Sequence, residues 1–176
     1  MEPIIREEFS DRTGFKVKEV KAILQHKRFP FMLANLDGIV TDPERGEGIF
    51  EAKTANAYAA AEWEAGIPDA YSLQVQHYMA VTGLNFAYIA VLIGGNKFLW
   101  KYIERDEGTI DLLIQLEARF WKYVQSNTPP PIDGSKASKR HFCKAGLHSV
   151  SACSNRIHLL RVLDTMRQPT SVPAVA

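Results

Sequence analysis

The sequence predicts an α/β or α+β fold in which helices flank a mixed β-sheet. Short segments near the start alternate between apolar and polar residues, which is typical of strands. The apolar run 86–93 and the segment 97–104 flank Gly94-Gly95-Asn96, a turn that favours a hairpin. Two later segments have the spacing of helices. The chain has 176 residues, 46% hydrophobic and 23% charged, a balance that predicts one globular domain with a sizeable core.

The predicted elements follow one another in a definite order. Pro3 is suited to the first turn of an opening helix, and Gly14 is expected to end it. Three strands of a β-meander are expected over 15–24, 31–40 and 49–54, and two helices over 55–65 and 71–82. The longest helix is expected to begin after Asp106 and to end before Pro129. The apolar stripe on this helix, which runs from Ile110 through Trp121 to Val124, is expected to pack in the core.

Charge divides the chain into two parts. Residues 1–135 contain 14 Lys and Arg against 19 Asp and Glu, a net charge of −5. Residues 136–176 contain 7 against 1, a net charge of +6. Acidic residues repel nucleic-acid phosphates, so a DNA substrate would require bound divalent cations to offset the acids of the first part.

Composition also indicates the compartment. The acidic start differs from a signal peptide. The longest apolar run has about half of the roughly 20 residues that cross a bilayer, so no membrane association is expected. Two cysteines cannot form a disulfide framework in a chain of this length, which favours the cytoplasm.

We therefore expect two regions, a core over 1–135 and a basic tail over 136–176. The tail is rich in Ser, Arg and His without clear periodicity, which predicts a disordered or frame-shifted extension. A competing interpretation is a zinc site, because thiols and imidazoles recur every five residues at Cys143, His148, Cys153 and His158. The usual C-x(2–4)-C spacing is absent from this set.

A possible metal site lies on the second and third predicted strands. Side chains alternate along a strand, so Glu51 and Lys53 point to the same face, and Asp37 is expected on the neighbouring strand. Burying these charges is costly unless they are paired or bind an ion, and a divalent cation would resolve the conflict. Asp37, Glu51 and the carbonyl of Ala52 would then bind Mg²⁺, with Mn²⁺ as an alternative ion, and Lys53 would orient a water or stabilise phosphate charge. The competing interpretation is a surface hairpin with solvated Glu51 and Lys53.

Gln74 and Tyr78 form the second part of this predicted site. They are four residues apart on a predicted helix, so they share one face and could jointly orient a water, a phosphate or Lys53. The alternative is a buried amide and phenol that hydrogen-bond to the sheet backbone. His77 lies on another side of the helix, and we expect it to be structural.

The motifs resemble a known family. The stretches Ala34-Asn35-Leu36-Asp37-Gly38, Gly48-Ile49-Phe50-Glu51-Ala52-Lys53-Thr54, Ile67-Pro68, Tyr71, Gln74-Val75-Gln76-His77-Tyr78-Met79-Ala80-Val81-Thr82-Gly83 and Leu92-Ile93-Gly94-Gly95 occur in this order. Together they resemble the YqaJ-type viral recombinase family. That family is similar to the phage lambda exonuclease and belongs to the PD-(D/E)xK nuclease superfamily, so the resemblance implies a restriction-endonuclease-like core.

The resemblance also implies an activity and roles for residues. It implies a phage- or prophage-type, Mg²⁺-dependent DNA exonuclease that resects linear duplex ends, with a single-strand annealing protein as partner and a homo-oligomeric ring. Asp37 and Glu51 match the metal-binding acids, Lys53 the catalytic lysine, and Gln74 and Tyr78 the Q-x-x-x-Y motif. Glu2 matches an upstream helical acid near the metal.

One departure from the family gives the alternative function, and two other protein classes are the rivals. Family members carry further sequence ahead of the Glu2-Pro3 pair, so a truncated, inactive DNA-end-binding remnant is the alternative function. Cas4-like or RecB-like nucleases use an iron–sulfur cluster that requires four cysteines, and the chain has two. A purely structural sheet domain is the third interpretation.

Overall fold

The structure of the protein is a computed structural model, and it describes residues 1–131. Met1–Gln125 form one compact unit that contains every element, and Ser126 begins a second unit. The helices are α1 (Glu2–Thr13), α2 (Ala60–Ala65), α3 (Asp69–Thr82) and α4 (Glu107–Gln125), with a short 3-10 turn at Ala57–Ala59 before α2. The strands are β1 (Lys16–Lys18), β2 (Ile23–Gln25), β3 (Leu33–Asn35), β4 (Gly38–Asp42), β5 (Gly46–Ala55), β6 (Phe86–Ile93) and β7 (Lys97–Glu104). Within residues 1–131, every helix is too short or too polar to span a bilayer.

The central sheet is mixed, as the sequence predicts. It has five strands in the order β1-β4-β5-β6-β7. β5 and β6 are parallel, whereas the other neighbours are antiparallel. A parallel pair needs a crossover connection, and α2 and α3 provide it between β5 and β6. The predicted fold class, a mixed sheet flanked by helices, is confirmed.

The two faces of the sheet pack against different helices. On one face, Ile5 and Phe9 of α1 lie among the aromatic residues Phe50, Phe86 and Tyr88. On the other face, Val75 and Met79 of α3 pack in a cluster with Ile49, Ile89 and Val91. Because successive side chains of a strand point to opposite faces, β5 contributes to both layers.

Several predicted boundaries agree closely with the structure. Gly14 ends α1 with φ +72°, the left-handed conformation that glycine adopts readily. Gly94 and Gly95 have φ of +60° and +80°, as the predicted tight turn between β6 and β7 requires. The Asp106 side chain accepts a hydrogen bond from the Thr109 amide at 2.9 Å, and therefore caps α4.

The prediction of a three-stranded meander is wrong. Residues 31–40 form two strands in different sheets, because β3 pairs with β2 in a separate two-stranded sheet and β4 pairs with β1 and β5. Burial nevertheless alternates without interruption through Met32, Ala34, Leu36 and Val40. Leu36 packs on the α3 face and Val40 on the α1 face, so the chain crosses between layers while its burial period persists. The period of burial alone therefore does not reveal that the chain changes its strand partner.

The apolar stripe of α4 is also less buried than predicted. Ile110 is buried and Ile114 packs against the core, but Phe120 is 57% exposed and Trp121 39% exposed. Trp121 stacks on Phe31, with ring centroids 6.0 Å apart. The prediction that the stripe packs in the core thus holds for the first half of the helix only.

Candidate active site

The site is built on the end of β5, where this strand extends beyond β4. The pairing of the two strands stops at Gly38 and Phe50, whereas β5 continues to Ala55. Glu51 and Lys53 lie on the face that α3 covers, and their side chains are 4% and 17% exposed. The interpretation of Glu51 and Lys53 as solvated residues of a surface hairpin is therefore wrong.

Asp37 takes the place of the missing strand partner. Its Oδ2 accepts a hydrogen bond of 2.8 Å from the amide of Ala52. In a strand, the N–H and C=O of one residue point to the same edge, so the Ala52 carbonyl is on the Asp37 side of β5. The structure thus brings together Asp37, Glu51 and the Ala52 main chain, the three oxygen donors proposed from the sequence.

A hydrogen-bonded network joins α3 to this end of β5. Lys53 Nζ donates to Glu51 Oε1 at 2.6 Å and to Gln74 Oε1 at 3.0 Å. Gln74 Nε2 donates to Glu51 Oε1 at 2.9 Å and to the Tyr78 hydroxyl at 2.8 Å. The partners are side chains rather than the sheet backbone, so the alternative interpretation of Gln74 and Tyr78 is wrong. These bonds use both ends of the Gln74 amide and fix its orientation.

The second carboxylate oxygen of Glu51 has a different environment. Glu51 Oε2 is buried and has no hydrogen-bond partner, the only such side-chain atom within residues 1–131. Burial raises the pKa of Glu51 to about 7, although the Lys53 ammonium opposes this shift. A buried, unpaired carboxylate oxygen is costly in the protein alone. It is an available ligand for a hard cation.

The donor set fits a magnesium-type ion. Within residues 1–131, no three His, Cys, Asp or Glu side chains are grouped closely enough to hold a metal without other ligands. Mg²⁺ in proteins is commonly held by one or two carboxylates, with water or phosphate oxygens completing the octahedron. Asp37, Glu51 and the Ala52 carbonyl suit that pattern. Glu2 is exposed in the first turn of α1, and its negative charge contributes a little to the raised pKa of Glu51.

Two neighbours of Gln74 on α3 have structural contacts. Gln76 is buried, donates to the Glu104 carbonyl at 2.7 Å and accepts from the Asp106 amide at 3.0 Å. His77 Nδ1 lies 2.7 Å from Glu117 Oε1, and its Nε2 lies 2.9 Å from the Leu33 carbonyl. Both contacts fasten α3 to neighbouring segments, as expected for a structural His77.

Tyr71 is a site neighbour to which the sequence argument gave no role. The Lys53 ammonium lies 4.9 Å from the centre of its ring. Tyr71 is three residues before Gln74, and this helical spacing could have placed it on the same face of α3. The proposed zinc residues Cys143, His148, Cys153 and His158, together with the tail over 136–176, lie outside the described residues.

Two solved structures share the fold. An alkaline exonuclease from Laribacter hongkongensis is 22% identical and has a TM-score of 0.62, and the match covers 82% of this chain and 70% of that one. A phage-related exonuclease from Haemophilus somnus 129PT is 15% identical and has a TM-score of 0.54, with 69% and 66% of the two chains covered. At these identities the comparison shows the fold alone.

Sequence relatives give the family. A Bacillus subtilis (strain 168) protein called uncharacterized protein YqaJ is 45% identical over 148 residues. The match covers 82% of this chain and 46% of the relative, so the chain spans slightly less than half of that protein. The sequence model of the YqaJ-like viral recombinase domain matches residues 1–85, which include every residue of the predicted nuclease site. The resemblance predicted from the motifs is confirmed, because residues 1–85 match the YqaJ-like viral recombinase domain and the chain is similar to a YqaJ protein.

Proposed function

We propose that the protein is a divalent-metal-dependent deoxyribonuclease that resects the ends of linear duplex DNA. The observation that carries the proposal is Glu51 Oε2, a buried carboxylate oxygen without a partner, beside Asp37 and a lysine. The family match and the fold shared with two exonucleases support it. Phosphodiester hydrolysis needs an activated water and stabilisation of negative charge, and this set of residues supplies groups for both.

Asp37, Glu51 and the Ala52 carbonyl would hold the ion, with Mg²⁺ as the first choice and Mn²⁺ as the alternative. Such an ion supplies Lewis-acid chemistry and neutralises phosphate charge. It would also offset the net charge of −5 on residues 1–135, which otherwise repels DNA. Glu2 is a further proposed ligand or ligand-orienting acid.

The remaining side chains have separable roles. Lys53 orients the attacking water and stabilises the charge that builds on the phosphate. Gln74 bonds to both Lys53 and Glu51, and therefore holds the ammonium and the carboxylate at a fixed separation. Tyr78 accepts a bond from Gln74 and fixes the amide from the other side. By analogy with the family, the product would carry a 5′-phosphate.

The biological setting follows from the family. We propose that digestion exposes single strands for phage- or prophage-type recombination by annealing, in the cytoplasm. A single-strand annealing protein is the proposed partner, and a homo-oligomeric ring is the proposed assembly.

Digestion of end-labelled linear duplex DNA tests the activity. Purified protein is assayed with Mg²⁺, with Mn²⁺ and with EDTA, beside Lys53→Ala and the control Lys122→Ala, which alters an exposed lysine of α4. We expect metal-dependent loss of one strand by the wild type and the control, none by Lys53→Ala, and no cleavage of closed circular DNA. Cleavage in EDTA, or full activity of Lys53→Ala, would overturn the proposal. Binding of DNA ends without cleavage by a folded protein would favour the inactive remnant.

A further inference from the structure

We propose that Tyr71 is a positioning residue that holds the Lys53 ammonium on the face of its ring. The inference rests on the proposed function, since it assigns Tyr71 a part in the work of Lys53. The carrying observation is geometric: Lys53 Nζ lies 4.9 Å from the centre of the Tyr71 ring. The negative face of an aromatic ring attracts a cation at this distance, most strongly where water is partly excluded. Lys53 is such a case, with its side chain 17% exposed.

The Tyr71 ring is itself held in place. It stacks on Trp63 of α2, with centroids 5.3 Å apart and an angle of 21° between the planes. Trp63 is 2% exposed and belongs to the apolar core. The Tyr71 amide also donates to the Pro68 carbonyl at 2.9 Å in the first turn of α3. The ring is therefore a rigid surface, and little conformational freedom is lost when the ammonium rests on it.

The ring differs from the other two partners of Lys53. One of these is Glu51 Oε1, and the other is the Gln74 oxygen, whose amide nitrogen is itself bonded to Glu51 Oε1. Both contacts therefore depend on the carboxylate that is proposed to bind the ion. An ion on that carboxylate draws electron density from it and weakens its attraction for the ammonium. The π-face of Tyr71 is a partner whose attraction for Lys53 does not depend on the carboxylate.

A series of ring substitutions separates this electrostatic role from packing. Tyr71 is replaced by phenylalanine and then by 4-fluoro-, 3,5-difluoro- and 3,4,5-trifluorophenylalanine, which weaken the negative face at nearly constant size. We expect Tyr71→Phe to retain most of the activity. Across the fluorinated series we expect kcat to fall stepwise by about tenfold in total, with KM for DNA unchanged. A kcat that stays flat across the series in an active enzyme would overturn the proposal.

A second measurement needs neither metal nor activity. In metal-free protein with ¹³C at the lysine ε-carbons, the Lys53 ε-protons should resonate upfield, because the ε-carbon is bonded to Nζ, which lies over the ring. Lys53→Ala identifies the signal, and Tyr71→Leu should return it to the usual lysine position. Tyr58→Leu is the control, since Tyr58 is 98% exposed and should leave the signal unchanged.

The two measurements distinguish failure of this inference from failure of the proposed function. An upfield Lys53 signal that responds to Tyr71→Leu, in a protein that cleaves no DNA, would support the contact between Lys53 and Tyr71 and contradict the proposed nuclease activity. A Lys53 signal at the usual position in folded wild type would overturn the contact. Thermal unfolding of each variant checks that it folds. If Tyr71→Leu does not fold, the near-isosteric fluorinated series still tests the contact.

Discussion

Phe50 and Glu51 are adjacent in β5 and both buried, yet they lie in opposite environments. Phe50 points to the α1 face, where its ring centre lies 5.0 Å from that of Phe9. Glu51 points to the α3 face, where one of its carboxylate oxygens has no partner. The alternation of a strand thus separates an apolar position from the candidate site by a single residue. Changes at Phe50 and its partners on α1 should alter stability, whereas changes at Glu51 should alter the proposed cleavage.

The largest expected effect is that of a change at Glu51, in the candidate site. Glu51→Gln removes a proposed ion ligand while preserving shape, and we expect cleavage to fall by about a hundredfold to a thousandfold, a typical loss for a group that stabilises developing charge. Rates on end-labelled duplex DNA at saturating Mg²⁺ measure this loss. Glu47→Gln is the matched control, because Glu47 is exposed on the same strand. A Glu51→Gln rate within tenfold of wild type would contradict the division between the faces.

The next effect tests how much the α1 face of the sheet contributes to stability. Phe9 is fully buried, with its ring centre 5.5 Å from that of Tyr88 as well as near Phe50. Phe9→Ala should lower the free energy of unfolding by about 3–5 kcal/mol, because it removes apolar contacts and leaves a cavity. Denaturant unfolding measures the change, with Ile4→Ala, a residue 58% exposed on the same helix, as the control. Specific activity of the folded fraction should stay close to wild type, and its loss would show that the layers are coupled.

A third prediction concerns pH. The pKa of Glu51 is raised to about 7 in the folded protein, chiefly by burial. The folded state therefore holds an extra proton between pH 4.5 and 7, and stability falls across this range as pH rises. The contribution is on the order of 2–3 kcal/mol, and Glu51→Gln should remove it. Unfolding of metal-free wild type and variant from pH 5 to 8 measures the difference.

Metal should have the opposite effect on this pH dependence. An ion binds the deprotonated carboxylate, so Mg²⁺ should stabilise the wild type more at pH 8 than at pH 5. Chelation should restore the original slope. Equal slopes for metal-free wild type and Glu51→Gln would show that Glu51 titrates as an ordinary exposed acid.

The sequence predicts which of these side chains share a face better than it predicts the strands around them. Glu51, Lys53, Gln74 and Tyr78 hydrogen-bond to one another, because two short-range periods, two residues on a strand and four on a helix, determine their faces. Asp37 was expected on a neighbouring strand, but it precedes β4 and bonds to the Ala52 amide in place of a strand partner. That contact depends on where β4 begins. Local sequence does not encode this point.

Electrostatic detail was harder to predict than position. The orphaned Glu51 oxygen and the Lys53–Tyr71 contact depend on how α3 packs over β5, and no spacing in the sequence reports that depth. The split between β3 and β4 was missed for the related reason that burial alternates equally in both layers. The long-range arrangement of the elements therefore decides what the local pattern leaves open.

The smallest effect is at the junction that holds α3 over the site. The Leu33 carbonyl and the Glu117 carboxylate are both acceptors, so His77 bonds to both only when each ring nitrogen carries a proton. The Glu117 hydrogen bond raises the pKa of His77 despite its burial. The stabilisation of the fold by protonated His77 is therefore complete below 6.5, the pKa of this residue in the unfolded chain. It is lost as pH rises through the higher pKa of His77 in the folded protein.

His77→Gln should cost about 1–2 kcal/mol of unfolding free energy at pH 6 and less at pH 9. His26→Gln is the contrasting variant, because burial and then the Arg28 charge lower the pKa of His26, so its contribution should be lost as pH falls. Denaturant unfolding of both variants from about pH 5 to pH 9 measures the two trends. Because Asp37 follows Leu33 closely on one side of this junction and Gln74 precedes His77 on the other, His77→Gln should also reduce kcat a few-fold. Unchanged kcat with lowered stability would show that the junction supports the fold without setting the geometry of the site.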